Sequence, residues 1–435
     1  MPKLSPRQSL LLLLAAVSVV GWGLLLLPVM HASGYADGPW TWLDHLFTSV
    51  SAVSTTGLTT LTVGQDYSIL GQAVILLLIQ VGGLGYVAFA GLLAPLSDGE
   101  GMSDAHAETL EESAYVPESV SAFAFVAKAW RLILICEGVG ALLLAWGFRE
   151  SGKAWGESLW WGLFHSVSAF CTAGFGLDPD SLQPYADNVL VTWTTIALAV
   201  GGAVGFMFVA GLAARRQRED GGFDPMSKGV LTAFVVLLAL FAVRFGLGSD
   251  VIQESGSTLT NAVFLATTSL SGAGFSTVDT AALSFSVLVS LLLPMCFGGA
   301  PAGTSGGIKL NNVGVAASII WARVAGREEP RFGGRPVERD TAEGAASTVT
   351  LYVWILVVGT AAAFAIEGAR FGFEDLMFEV VSAVGTVGLS RGITAELSPG
   401  AKGLLVGLMY VGRVGVLTLM TGVGNGVLGG GREGG

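Results

Sequence analysis

Thr55-Thr56-Gly57, Thr172-Ala173-Gly174, Gly272-Ala273-Gly274 and Thr386-Val387-Gly388 stand at matching places in four similar stretches of the chain. The stretches read LFTSVSAVSTTGL (Leu46–Leu58), LFHSVSAFCTAGF (Leu163–Phe175), VFLATTSLSGAGF (Val263–Phe275) and MFEVVSAVGTVGL (Met377–Leu389). Each has a Phe ten residues before its Gly, small or hydroxyl residues between, and an apolar residue after. Such residues suit ion coordination by the main chain. Small side chains let the backbone come close to an ion, and carbonyl oxygens around one axis replace the water shell of potassium. A Thr stands two residues before the Gly in three of the loops, and Gly272 takes its place in the third. Thr386-Val387-Gly388 matches the start of the TVGYG filter of tetrameric potassium channels. No loop has the second Gly of that motif, so a shorter filter is expected, with one site level with the glycines. A lone TVG carries no weight; four aligned loops do. The competing reading is four tight packing turns in a protein without a pore.

The elements that must hold these loops are membrane helices. The 435 residues are 52% hydrophobic and 13% charged, with mean hydropathy +0.67, whereas a soluble chain is about a quarter charged. Long apolar segments cover about 8–30, 67–95, 120–148, 186–213, 228–248, 281–321, 345–366 and 402–425. Shorter ones, about 41–54, 157–170, 257–270 and 374–385, precede the four loops. A helix of that shorter length reaches about 20 Å, too little for a hydrocarbon core of about 30 Å. These are read as re-entrant pore helices. The fold class expected is therefore an all-α polytopic membrane protein of eight transmembrane spans, built as four tandem helix–pore helix–loop–helix repeats around a pseudo-fourfold axis. The divisions are repeat one at 1–95, a cytosolic linker at 96–119, repeat two at 120–214, a linker at 215–227, repeat three at 228–321, a linker at 322–344 and repeat four at 345–435. With both termini inside, the inner segments hold about twice as many Lys and Arg as the outer ones, as the positive-inside rule asks. All four loops then lie near the outer face. The acidic 96–119 linker reads as a solvated connection or as a docking surface for a cytosolic partner. Residues 1–30 read as a retained first span, since their apolar run is longer than that of a signal peptide. Cys136, Cys171 and Cys296 all lie in apolar segments and read as buried thiols, not as a disulfide framework.

Two further features lie at membrane depth. Residues 298–307 contain five glycines and a proline within segment 281–321 and cannot be regular helix. Unwound backbone there must be buried or line a cavity, which in this topology puts it on the axis, internal to the loops. Gly298, Gly299, Gly303, Gly306 and Gly307 are its flexible positions. Arg413 interrupts an otherwise apolar helix. A centred Arg costs about 2.5–3.5 kcal/mol on insertion scales unless it faces a polar cavity. Arg413 is therefore expected to face the pore, where it repels a passing cation and holds the carbonyls of the glycine-rich loop. Lys309 reads equally as a partner of that loop and as an interface lysine. Glu379 is expected to brace the fourth pore helix, and His165 to pack the second. Asp44-His45 reads as a chance pair. The four histidines have no metal-ligand spacing and no phosphate loop is present, so an enzyme is not expected. The net charge of −11 argues against a nucleic-acid partner.

Over nearly its whole length the sequence resembles the potassium-translocating subunits of the Trk/Ktr/HKT superfamily. The resemblance rests on the four loops and on four further stretches. Gln80-Val81-Gly82-Gly83-Leu84-Gly85 and Val200-Gly201-Gly202-Ala203 resemble the family's glycine pairs. Phe297–Lys309 resembles its intramembrane loop, and Gly412-Arg413-Val414-Gly415-Val416-Leu417-Thr418 its last-helix motif. The chain opens directly on its first repeat, without the extra N-terminal helix pair of TrkH-type subunits, and so is most similar to the KtrB type. The resemblance implies potassium uptake across a bacterial plasma membrane through a channel-like filter gated by the intramembrane loop, Lys309 and Arg413. It further implies a homodimer set on a cytosolic, nucleotide-binding regulatory ring (RCK-type, KtrA-like) supplied by a separate polypeptide. No cofactor is expected in this chain; potassium is the substrate ion and sodium a candidate activator. The alternatives are a cation symporter or Na+/K+ transporter of the same superfamily and, from a different class, a secondary transporter working by alternating access. Repeats spanning an even number of helices keep one orientation, unlike the inverted repeats common in such transporters.

Overall fold

The computed structural model describes residues 6–33, 41–93, 122–215, 225–254, 257–301 and 303–415; of 6–10, 84–93, 122–129, 206–215 and 225–226 only the backbone is described. The expected 96–119 linker, most of the 215–227 linker, Ala302 and the Val416–Thr418 end of the last-helix motif lie outside the described residues.

Long helix, short helix, loop and helix follow one another along the chain. The first group comprises α1 (Pro6–Leu25), α2 (Trp42–Val53) and α3 (Ile69–Leu93). The second comprises α4 (Ala122–Glu150), α5 (Trp155–Phe170) and α6 (Val189–Arg215). The third comprises α7 (Pro225–Gly248), α8 (Thr258–Ser271), α9 (Phe285–Cys296) and α10 (Leu310–Val324). The fourth comprises α11 (Arg339–Glu367), α12 (Phe373–Gly385) and α13 (Pro399–Val414). Among the described residues, Trp130–Glu150, Ser227–Gly248 and Arg339–Arg370 are long and apolar enough to cross a membrane. Leu11–Leu25, Ile69–Gly83, Val189–Gly205 and Phe285–Cys296 are shorter apolar helices. The three long helices carry exposed large apolar side chains, such as Leu142, Val235, Leu247 and Trp354, as lipid contact requires.

Two details depart from the expected all-helical reading. Residues 298–307 are indeed non-helical, but their ends pair as a minimal parallel ladder between β1 (Phe297–Gly298) and β2 (Ile308–Lys309). That pairing satisfies backbone groups freed where α9 stops behind Pro294, which cannot donate a helical hydrogen bond. The 322–344 linker is more structured than a connection. It holds the end of α10, an antiparallel pair formed by β3 (Arg331–Phe332) and β4 (Arg335–Pro336), and the start of α11.

The C-terminal halves of the short helices are buried, and behind three of them a long helix presents a glycine where a side chain would collide. A Cβ on Gly82 of α3 would drive into the carbonyl of Val53, one on Gly202 of α6 into that of Phe170, and one on Gly412 of α13 into that of Val384. Each of these carbonyls stands four residues before a loop glycine, so the same contact seats three of the four short helices. The first and fourth groups are also joined by an ion pair. Lys402 Nζ of α13 lies 2.9 Å from Asp44 Oδ1 of α2, and Asp44 also closes a capping box with Thr41. The Asp44 carboxylate is thus an architectural group, while His45 turns to the Tyr67 hydroxyl at 2.9 Å, in keeping with the reading of Asp44-His45 as a chance pair.

This packing predicts a contrast between two glycines. Gly202→Ala should lower stability by about 1–3 kcal/mol, the usual cost of overpacking. Gly138→Ala, at an α4 position with nothing within 4 Å, should be neutral or raise it by about 0.5–1 kcal/mol. Thermal unfolding of the two purified proteins in one detergent checks this; equal melting temperatures would contradict the close seating.

Candidate ion-coordination site

The four loops meet. A Cβ built on Gly57 would stand under 3.0 Å from the carbonyl oxygen of Ala173, one on Gly174 from that of Ala273, one on Gly274 from that of Val387, and one on Gly388 from that of Thr56. The same four positions lie 3.0–3.2 Å from the Cα of the next glycine. Contacts running from loop one to two, two to three, three to four and four back to one can only be a closed ring. Real Cβ atoms essentially never come under 3.0 Å, so no other residue fits. Backbone conformation gives a second reason: the glycines have φ of 90°, 70°, 71° and 89°, which non-glycine residues adopt only under strain.

Thr55, Thr172 and Thr386 also have positive φ, 52°, 51° and 50°, as has Gly272 at 71°. Four successive left-handed corners at matching positions turn each chain from its short helix onto the ring. The short helices end at Val53, Phe170, Ser271 and Gly385, so their negative dipole ends lie at the corners. Thr56, Ala173, Ala273 and Val387, one residue before the glycines, supply the carbonyls packed against neighbouring glycines. All four glycines border one outer cavity of about 370 Å³, whose wall includes Asp178, Asp180 and Asp279.

The glycine-rich loop lies against the other side of the ring. Thr304 Oγ1 is 3.0 Å from Thr172 Oγ1 and donates to the Phe170 carbonyl at 3.1 Å. The Gly306 amide donates to Thr386 Oγ1 at 3.0 Å, and the Thr304 carbonyl is 3.5 Å from Thr55 Oγ1. All three corner threonines therefore touch the loop. The fourth corner touches the loop as well: a Cβ on Gly272 would lie 3.4 Å from Cβ of Ser305 and from the Thr386 carbonyl, an ordinary contact distance. Gly298, Gly299, Gly303 and Gly306 pack their Cα against carbonyls or the Thr386 hydroxyl, and Gly307 has φ 69°.

Two cations hold this loop. Lys309 Nζ donates to the carbonyls of Gly303, at 3.3 Å, and Ser305, so it is a partner of the loop and not an interface lysine. Arg413 donates to Thr55 Oγ1 at 3.0 Å and to the Thr304 carbonyl with one nitrogen, and to the carbonyls of Gly82 and Gly83, the latter at 3.1 Å, with the other. Its guanidinium ties the first group's corner and long helix to the loop of the third. Glu379 accepts from Ser390 Oγ at 2.6 Å, the Arg391 amide at 3.0 Å and Thr394 Oγ1 at 2.8 Å, bracing α12 to the segment after Gly388. His165 is buried, with Nδ1 2.8 Å from the Trp161 carbonyl and its ring stacked on Trp161, which is packing.

One buried acid escaped the sequence reading. Glu137 of α4 is 4% exposed, with Gln80 Nε2 3.3 Å from one oxygen and the Cys171 thiol 3.8 Å from the other. Its signal was present: it is an isolated carboxylate in an apolar helix, a position costly enough in a membrane to mark a site. Among the described residues no cluster of metal-ligating side chains occurs.

Comparison with known proteins places this geometry. The profile of the family described as TrkH, cation transport protein, matches residues 18–221 and 226–423. The Ktr system potassium uptake protein B of Vibrio alginolyticus is 31% identical over 402 residues, covering 91% of this chain and 86% of that one. The potassium/sodium uptake protein NtpJ of Enterococcus hirae is 29% identical over 426 residues, covering 96% and 92%. Among solved structures, the potassium transporter TrkH from Vibrio parahaemolyticus superposes with a TM-score of 0.72 at 20% identity, over 97% of this chain and 85% of that one, a likeness of fold. The protein thus belongs to the TrkH family of cation transport proteins.

Proposed function

We propose that this protein takes up potassium across a bacterial plasma membrane, through a pseudo-fourfold pore of eight spans with both termini in the cytosol. The observation that carries the reading is the closed ring. The carbonyls of Thr56, Ala173, Ala273 and Val387, with the corners and glycines around them, offer oxygens on four sides of one axis. Dehydration of an ion is offset where such oxygens replace its water. Asp178, Asp180 and Asp279 around the outer cavity raise the local cation concentration, and the four helix C-termini favour a cation behind the ring. The ion enters at the outer cavity and is coordinated at the ring. It is then stopped by residues 298–309 until Lys309 and Arg413 release that loop. Both cations spend their donors on loop and helix carbonyls, so their role is to hold the barrier as well as to repel the ion. The names of the Ktr relatives speak of a system. They support a partner subunit; its assignment as a cytosolic, nucleotide-binding ring beneath two such chains follows from the resemblance of the sequence.

A second reading, transport of both potassium and sodium, is supported by the name of the Enterococcus relative and by the atypical third loop, where Gly272 replaces threonine. Flux into proteoliposomes with potassium, rubidium, sodium and lithium compared separates the two.

Two variants test the assignments. Gly388→Ser should reduce the potassium-to-sodium ratio about tenfold or more, equivalent to about 1.4 kcal/mol of lost discrimination, because its Cβ collides with the Thr56 carbonyl. Unchanged ratios would sink the filter. Arg413→Ala should raise basal flux severalfold by freeing the Thr304 carbonyl; flux at or below that of the parent would refute the barrier role.

A further inference from the structure

Six residues before every ring glycine stands a hydroxyl: Ser51, Ser168, Thr268 and Ser382. All four use their backbone carbonyl alike, accepting the amide of the residue just before the glycine: Thr56 at 2.9 Å, Ala173 at 2.8 Å, Ala273 at 2.9 Å and Val387 at 2.9 Å. Their side chains divide. Ser51 Oγ accepts the Gly57 amide at 3.1 Å and Ser382 Oγ accepts the Gly388 amide at 3.0 Å. Ser168 Oγ and Thr268 Oγ1 are buried and meet no hydrogen-bond partner. The backbone divides the same way. The glycines with a hydroxyl on their amide have φ of 90° and 89°, and the other two have 70° and 71°. Ring contacts place loops one and four side by side, and loops two and three side by side. One half of the ring is braced and the other half is not.

The peptide plane connects this to ion coordination. The amide N–H of Gly57 and the carbonyl of Thr56 belong to one planar trans peptide and point in opposite directions. A hydroxyl that holds the N–H from behind therefore aims the carbonyl forward. The same holds for Gly388 and the carbonyl of Val387. We propose that Ser51 and Ser382 are positioning residues of the filter, fixing the Thr56 and Val387 carbonyls toward the axis, while the Ala173 and Ala273 carbonyls turn more freely. Selectivity then rests on the braced half, and the loose half accommodates the ion as it enters and leaves.

The proposal rests on the filter reading, and the test keeps the two apart. Potassium-to-sodium flux ratios are measured in proteoliposomes for four proteins beside the parent. Ser51→Ala/Ser382→Ala should lower the ratio on the order of fivefold, the worth of one net hydrogen bond. Ser51→Thr/Ser382→Thr, which keeps both hydroxyls, should retain most of it. Ser168→Ala/Thr268→Val should leave it at the parent value. Gly388→Ser reports on the filter itself. If Gly388→Ser lowers the ratio and the first double variant does not, the bracing role is overturned while the filter stands. If Ser168→Ala/Thr268→Val lowers the ratio as much as Ser51→Ala/Ser382→Ala, the division of the ring is overturned. If Gly388→Ser changes nothing, the filter reading fails first. A ratio is insensitive to the amount of folded protein, and the single variants Ser51→Ala and Ser382→Ala give the same reading should the double fold poorly.

Discussion

A peptide group left unpaired in hydrocarbon costs several kcal/mol, yet an ion-coordinating backbone must leave carbonyls free of helix bonds. The structure meets both demands by bringing four non-helical loops so close together that each shields the next. That closeness is the constraint from which the other features follow. It requires Gly57, Gly174, Gly274 and Gly388, because any Cβ would strike the neighbouring carbonyl. It requires the left-handed corners at Thr55, Thr172, Gly272 and Thr386. It also requires Gly82, Gly202 and Gly412 on the long helices, without which the short helices could not be seated near enough to the axis.

The glycine-rich loop answers the same constraint on the inner side. Its amides and carbonyls find partners in the corner threonines, in the Gly202 and Ala203 carbonyls, in the β1–β2 pairing and in Lys309 and Arg413. A segment satisfied by so many small contacts is stable in place, while each contact is weak enough to be exchanged. A net hydrogen bond contributes about 0.5–1.5 kcal/mol, so the proposed gate would open by trading partners without unfolding. Arg413 is the most consequential of them, since one side chain joins the first group's corner and glycine pair to the third group's loop.

Motifs fix the glycines of the proposed filter, the broken sixth segment and Arg413 directly, because each is a local violation of what a membrane helix tolerates. The family was legible for the same reason. The four loops, the glycine pairs and the Gly412-Arg413 motif carried a resemblance to the potassium-translocating subunits, and the family match bears it out. The short-helix boundaries fell within about two residues of those expected, since they end at glycine corners. Lys309 stayed ambiguous in the sequence, because an interface lysine and a loop-clamping lysine look alike until the loop is folded over it. The ion pair of Asp44 was not legible for a similar reason, as its partner Lys402 is near the far end of the chain. Glu137 was legible and overlooked.

By itself, the sequence determined the helical membrane class, the order of long and short elements, and which backbone positions must be glycine, because spacing and side-chain size are local properties. Only the tertiary structure decided that the ring closes from loop four back to loop one, that Gly272 meets Ser305 of the glycine-rich loop, and that Ser51 and Ser382 reach their glycine amides while Ser168 and Thr268 do not. Those outcomes depend on a few tens of degrees of φ and on contacts between residues hundreds of positions apart. The features the four stretches share, a Phe, a hydroxyl six residues before the glycine and the glycine itself, do not encode such a difference; it appears only in the folded loops.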